Sequence, residues 1–336
     1  MSVQQLNPGS AGRGQKWDIL KFILIFLVVL GHAADYFTAD SEIMRGIYVS
    51  IYIFHMPVFF FVSGLFSKKA VDEKRKDKAI GFVMMYVFMK VVVFITQLLS
   101  GVRPKFDLFS EGGFPWYLLA MAFCITVTML VKEFSWKYVL TFSIIIACFA
   151  GYNDNIGNFL CLSRFIVFYP FYYIGYIADR EKLEKFCKGK PQKIVSAILI
   201  AAMIVFIAYK GDDIYWVRLL LTGRNPYSSL NGNWHFGFWF RLVYYFVAFV
   251  IGTAVVILTP ERTPKGFIAK LGQRTLGVYV FHYSLLYLVF NVLDCKQYFE
   301  EWVIVPLSLI ITLLLSARFI TSFLQKIMNV PPRTTK

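Results

Sequence analysis

Three of the four histidines in this 336-residue chain lie inside long apolar runs. His32 closes a run that begins at Trp17, His55 and His282 fall near the middles of two others, and His235 opens a fourth. The first run also holds Asp18, Lys21 and Asp35, and later runs hold Lys90, Arg164 and Arg241. An ionisable group in hydrocarbon costs about 2.5 kcal/mol or more by insertion scales, so each needs a partner or a task. Imidazole titrates near neutral pH and suits the removal of a proton from a hydroxyl nucleophile. Cationic side chains suit an anionic ligand or a developing oxyanion.

The spacing in the first run sharpens this. Lys21 and His32 are eleven residues apart, close to three helical turns, so both point the same way about 16 Å apart along the axis. Asp35 lies one turn further on and is placed to hold the imidazole in one tautomer. A cation near one end of a face and a base near the other fit an elongated anionic ligand. An acyl-coenzyme A has that form, with phosphates at the lysine, pantetheine threaded inward and the thioester near the histidine. Structural roles compete with these. Lys21 can anchor a helix start, His55 and His282 can be packing residues bonded to neighbouring helices, and Arg164 and Arg241 can snorkel to an interface. Lys90 is too central to snorkel, so it calls for an interior polar partner.

The elements that must carry these residues are membrane helices. The chain is 58% hydrophobic and only 16% charged, with a mean hydropathy of +0.59, whereas a soluble domain is about a quarter charged. Runs of spanning length are expected at 17–37, 45–67, 79–100, 114–132, 136–151, 159–178, 192–209, 235–258, 272–293 and 302–325. The fifth is short, and Arg164 and Pro170 interrupt the sixth. With the amino terminus inside, the Lys-rich loops SKKAVDEKRKDKA and DREKLEKFCKGKPQK fall on the cytoplasmic side, and mixed or acidic loops on the other. That alternation is what the positive-inside rule predicts for an even number of spans. The expected architecture is therefore all-α and polytopic, with about ten transmembrane helices and both termini cytoplasmic. Residues 1–16 and 326–336 form cytoplasmic tails around one membrane domain over 17–325, with no appended soluble domain. The outer loop 210–234, rich in Trp, Tyr, Gly and Asn, is a candidate binding mouth.

Composition also excludes classes. The formal charge of +15 is spread between apolar runs and not gathered on a soluble surface, which argues against nucleic acid. Five cysteines with no CxxC spacing give neither a disulfide framework nor a zinc site. His-Ala-Ala-Asp at 32–35 faintly resembles a signal cleavage site, but the run before it is long enough to span, so it reads as a retained helix.

Four segments in order resemble the acyltransferase 3 family of integral membrane acyltransferases, particularly its fucose 4-O-acetylase-like branch. The first is Asp18, Lys21 and His32, similar to the family's basic residue, ten residues and histidine. The second is YIFHMPVFFFVSGLF at 52–66, with His55, Pro57, Ser63 and Gly64. The third is FPWYLLAM at 114–121, which contains Trp116, and the fourth is LGQRTLGVYVFH, ending in His282. The matches cover residues 17 to 285. Two departures stand out: many members carry arginine where this chain has Lys21, which lacks the planar fork that grips phosphate, and no extracellular hydrolase-like domain of the kind some members append is expected.

The resemblance implies transfer of an acyl group, usually acetyl, from cytoplasmic acyl-coenzyme A (a co-substrate, not a bound cofactor) to a hydroxyl of a cell-surface or lipid-linked carbohydrate. His32 is the expected general base, supported by Asp35, with an acyl-histidine route also open. His55, His282 and Ser63 are expected to line the site or polarise the thioester, and Arg164, Lys90 or Arg241 to face the oxyanion. Asp18, Lys21 and Trp116 complete the expected donor- and substrate-binding set, with no metal. The expected partners are the donor, the acceptor and the lipid bilayer, and the location a multi-pass position in the cell membrane. A polytopic transporter or flippase for a glycan or small anionic solute is the main rival, since interior charges and broken helices occur there too. An intramembrane serine protease using Ser63 and His282 is weaker, because residue 61 is Phe where a Gly-x-Ser-Gly surround needs glycine. A non-enzymatic assembly protein leaves the interior charges unexplained.

Overall fold

In the computed structural model, residues 14–329 are described except 112, 231 and 299. The expected tails thus fall largely outside the described residues, and the first helix already begins at Gln15. Among the described residues the fold is helical throughout, with a single isolated bridge between Ser110 and Phe159. The helices are α1 (Gln15–Asp35), α2 (Glu42–Tyr52), α3 (His55–Asp72), α4 (Lys76–Leu99), α5 (Trp116–Val131), α6 (Trp136–Ala150), α7 (Leu162–Ile177), α8 (Arg180–Cys187) and α9 (Lys190–Lys210). They continue as α10 (Arg218–Leu221), α11 (Gly237–Leu258), α12 (Phe267–Gly272), α13 (Thr275–Tyr287), α14 (Ile304–Leu315) and α15 (Arg318–Met328).

Among the described residues six helical stretches can cross a membrane by length and apolar character, or seven if the pair Glu301–Leu315 and α15, bent by 62°, is one span. Ten were expected. The difference lies partly in α5, α6 and α7, which have 16, 15 and 16 residues and so reach only about 24 Å. Counting apolar residues overestimates these runs, because Phe114, Pro115, Phe159 and Leu160 sit in loops and not in helix.

The loops sort to two ends of the bundle. At one end Lys16 pairs with Glu261 at 3.2 Å, the Trp17 indole donates to Glu184, and Lys132 donates to the Asp72 carbonyl. At the other, Lys296 pairs with Asp40, Arg45 pairs with Asp212, and Ser228 donates to Asp154. The first we call the basic end and the second the loop end.

Close packing is set by small residues, as is common where helices meet in lipid. A Cβ on Gly64 of α3 would strike the Tyr172 carbonyl of α7, and one on Gly175 of α7 would strike the Phe61 carbonyl of α3. The two backbones therefore touch in both directions. Trp17, Leu20, Leu24 and Val29 bury α1 at the centre of the bundle, against α2, α3, α12, α13 and α14. The catalytic candidates on α1 are thus held by a helix enclosed by five others. All five cysteines are free.

Candidate active site

His32 lies in the last turn of α1, half-buried. Three elements meet it there. The Tyr52 hydroxyl at the end of α2 is 3.1 Å from its Nδ1. The Phe114 ring packs edge-on at 4.6 Å, and the His282 ring of α13 stacks at 5.4 Å. His55 packs edge-on against Tyr52 at 4.7 Å. Three histidines from distant parts of the sequence therefore line one cavity of about 370 Å³, together with Asp35, Trp116, Arg164 and Tyr279. Among the described residues no group of three or more His, Cys, Asp or Glu is arranged to hold a metal ion.

Local sequence explains how two of the rings are fixed. Pro57 has no N–H, so it cannot continue the hydrogen-bond ladder back to Ile53. The chain breaks between α2 and α3, and His55 Nδ1 lies 2.8 Å from the Ile51 carbonyl, which also accepts from the Phe54 N–H. His282 Nδ1 faces the carbonyls of Val278 and Tyr279 at 3.0 and 2.9 Å within its own helix. A carbonyl oxygen only accepts, so in both residues Nδ1 carries the proton and the neutral ring keeps its lone pair on Nε2. The Nε2 of His282 is buried with no protein partner. His32 differs, because a hydroxyl partner accepts either tautomer.

Asp35 does not hold His32. It is exposed at the cavity mouth, close enough to Arg218 to be attracted to it, and the His32 Nδ1 partner is Tyr52. Three residues on a helix turn about 300°, which leaves Asp35 about 60° round α1 from His32.

Arg164, in the first turn of α7, is buried over the Trp116 ring at 4.9 Å. Its terminal nitrogens donate to the carbonyls of Glu111 and Gly113, and its Nε–H is buried without a protein partner. It does not snorkel. The segment it holds is pinned from the other side by Lys90, which pairs with Glu111 at 3.1 Å and donates to the Ser110 carbonyl at 2.9 Å. Glu111 is 1% exposed. The loop between α4 and α5 thus folds inward to give Lys90 its polar partner, and Lys90 lies outside the cavity lining. Arg241 is also outside it. This guanidinium is fully buried, donates to the Leu220 carbonyl at 2.7 Å, and fixes the end of α10.

A second cavity of about 250 Å³ lies along α1 toward the basic end. Lys21, Ile25 and Val28 of α1, Ser63 and Tyr117 line it, and Met328 of α15 lies in its wall. Lys21 pairs with buried Asp18 at 2.6 Å, and Gln273 Nε2 donates to the other Asp18 oxygen at 2.8 Å. Ser63 Oγ is 2.6 Å from the Tyr117 hydroxyl. Ser63 and His282 line different cavities, so the protease pairing is not formed. The two cavities share Val28, Met56 and Tyr279 in their walls. The two cavities therefore lie one after the other along α1, Lys21 lining one and His32 the other, with these three residues as the neck between them.

A family model described as an acyltransferase domain matches residues 15–320, which takes in both cavities and every helix that lines them except the end of α15. The chain belongs to the acyltransferase 3 family. Among similar proteins is the nodulation protein NolL of Mesorhizobium japonicum, 24% identical over 344 residues, covering 89% of this chain and 85% of that protein. The nodulation protein NolL of Sinorhizobium fredii is likewise 24% identical, over 325 residues, with 88% and 83% covered. No solved structure matches. This membrane acyltransferase is thus built on helices of spanning length, and its family sets aside the transporter reading.

Several lining residues of the acyltransferase escape the sequence motifs. Tyr52 stands three residues before His55 inside a quoted motif, yet nothing in its spacing marks a partner for His32. Phe114 and Tyr279 likewise lie inside quoted motifs and, being uncharged, are not marked there as cavity residues. Arg218, Leu221, Arg224 and Asn225 bring the segment 210–234 into the wall of the His32 cavity, and composition alone had marked that segment as a mouth.

Proposed function

We propose that the protein is a membrane O-acyltransferase that moves an acyl group, usually acetyl, from cytoplasmic acyl-coenzyme A to a hydroxyl of a carbohydrate at the cell membrane. The single observation that carries this reading is the pair of cavities meeting at Val28, Met56 and Tyr279, with Lys21 in one and His32 in the other. The donor enters from the basic end, which the positive-inside rule places in the cytoplasm. Its phosphates lie beyond Lys21, its pantetheine runs along α1, and its thioester reaches the neck.

The acceptor hydroxyl approaches from the loop end. His32 Nδ1–H donates to the Tyr52 oxygen, which leaves Nε2 free to take the hydroxyl proton as oxygen attacks the thioester carbon. The carbonyl oxygen gains charge in this step, and the unused Nε–H of Arg164 is a donor available to it. Collapse expels the coenzyme A thiolate, which takes the proton back from His32. The products are an ester and a free thiol. His282 Nε2, with its lone pair fixed toward the cavity, accepts a hydrogen bond from a neighbouring acceptor hydroxyl and orients it.

Release of free thiol from acetyl-coenzyme A by the purified protein, with acetyl appearing on surface glycan from membranes that carry it, tests this reading. The variant Lys21→Ala is expected to raise the donor KM about tenfold or more, and Lys21→Arg to retain donor binding. An unchanged KM in Lys21→Ala removes Lys21 from the donor path.

A further inference from the structure

The neck between the two cavities is made of three side chains with different freedom. Val28 is buried, β-branched and four residues before His32 on α1, so its rotamer is restricted. Tyr279 is held in place, because its hydroxyl donates to the Phe114 carbonyl and its ring packs against Tyr117 at 5.4 Å. Met56, in the first turn of α3, is half-buried. Its unbranched thioether makes it the adjustable member of the three.

We infer that the neck measures the acyl group, and that Met56 limits it to about two or three carbons. The inference rests on the acyl-transfer reading of the same cavities and adds which donors pass. With pantetheine in the Lys21 cavity and the acceptor in the His32 cavity, the thioester carbon lies between them. The tail of the acyl group then rests against Val28, Met56 and Tyr279. The acceptor oxygen bonds to the carbonyl carbon, the carbon–sulfur bond breaks with its electrons on sulfur, and the proton passes through His32 to the thiolate. Each further methylene in the tail must displace a neck side chain or the acceptor itself. One methylene too many in an apolar slot is rejected about 10- to 200-fold.

Thiol release and ester formation by the purified full-length protein test this with acetyl-, propionyl-, butyryl- and hexanoyl-coenzyme A, and with glycan from membranes that carry the protein. The parent is expected to use acetyl best, propionyl about tenfold less well, and the two longer donors about 10²-fold less well or worse. Met56→Ala leaves room for about two methylene groups. It is expected to raise the butyryl-to-acetyl ratio of kcat/KM about tenfold or more, and Met56→Phe to lower the propionyl-to-acetyl ratio. Each ratio is taken within one preparation, so a poorly folded variant loses both rates and keeps its ratio. Where Met56→Ala is inactive with every donor, Val28→Ala reads the same ratio from α1 and is expected to raise it. A parent that uses all four donors alike or prefers a longer one overturns the inference. So does a parental ratio in Met56→Ala, or in Val28→Ala where the first variant is inactive. Failure of the parent to release thiol from any of the four overturns acyl transfer itself.

Discussion

The Tyr52 hydroxyl lies 3.1 Å from Nδ1 of His32, and the Tyr48 ring stacks on Tyr52 at 3.8 Å. The imidazole in the cavity wall is thus oriented by a phenol which is itself clamped. Removing the hydroxyl while keeping the ring leaves the packing and frees the tautomer. Tyr52→Phe is expected to lower kcat about tenfold, the worth of one hydrogen bond, with donor KM little changed. Steady-state kinetics on the purified variant checks this; a parental kcat shows that Tyr52 only packs.

Asp35 makes the contrasting case. As an exposed residue at the mouth, it is expected to tolerate replacement by Asn with less than about a threefold change in kcat, where a carboxylate orienting a catalytic histidine costs far more. Parallel kinetics of Asp35→Asn and Tyr52→Phe reads the difference directly, and a larger loss in Asp35→Asn reverses the assignment.

The Lys90–Glu111 pair holds the segment that feeds Phe114 and Trp116 into the site. Breaking a buried pair from one side strands the other charge at a cost of about 3–5 kcal/mol. Lys90 is partly exposed, at 17% for its side chain, so Glu111→Gln is expected to fall at the low end of that range. Thermal unfolding in detergent should show the loss, and adding Lys90→Met should recover part of it through coupling of the two sites. Strictly additive losses contradict the pairing.

The contact between α3 and α7 predicts a steric effect with no charge in it. Gly64→Ala places a methyl group against the Tyr172 backbone, which cannot yield as a flexible side chain would. A cost of about 1–3 kcal/mol follows, read as a lower thermal midpoint and less folded protein in the membrane. An unchanged midpoint means that the helices do not meet at that glycine.

The sequence makes part of this legible and hides the rest for identifiable reasons. The helical period placed Lys21 and His32 on one face, and the structure has space along that face at both residues. The His-Met-Pro segment shows through because proline interrupts the helix near the start of α3, where His55 bonds the Ile51 carbonyl at the end of α2. Long-range partners are invisible to period and composition. Tyr52 reaches His32 because α2 folds back on α1, and Glu111 reaches Lys90 because a loop turns inward. The assignment of Arg241 and Lys90 to the site came from charge in an apolar run, which reports that a partner exists and not which one. Helix lengths were overestimated where apolar residues serve the loops, as Phe114 and Phe159 do.

The central claim is that His32 removes the proton from the acceptor hydroxyl, and one measurement bears on it most directly. Purified parent, His32→Ala and His282→Gln proteins are incubated with labelled acetyl-coenzyme A and membrane glycan, and ester formation is followed together with donor binding. His32→Ala is predicted to bind donor as the parent does and to lose about 10²-fold or more of the transfer rate. His282→Gln is predicted to lose less. Ester formation at the parental rate in His32→Ala contradicts the account.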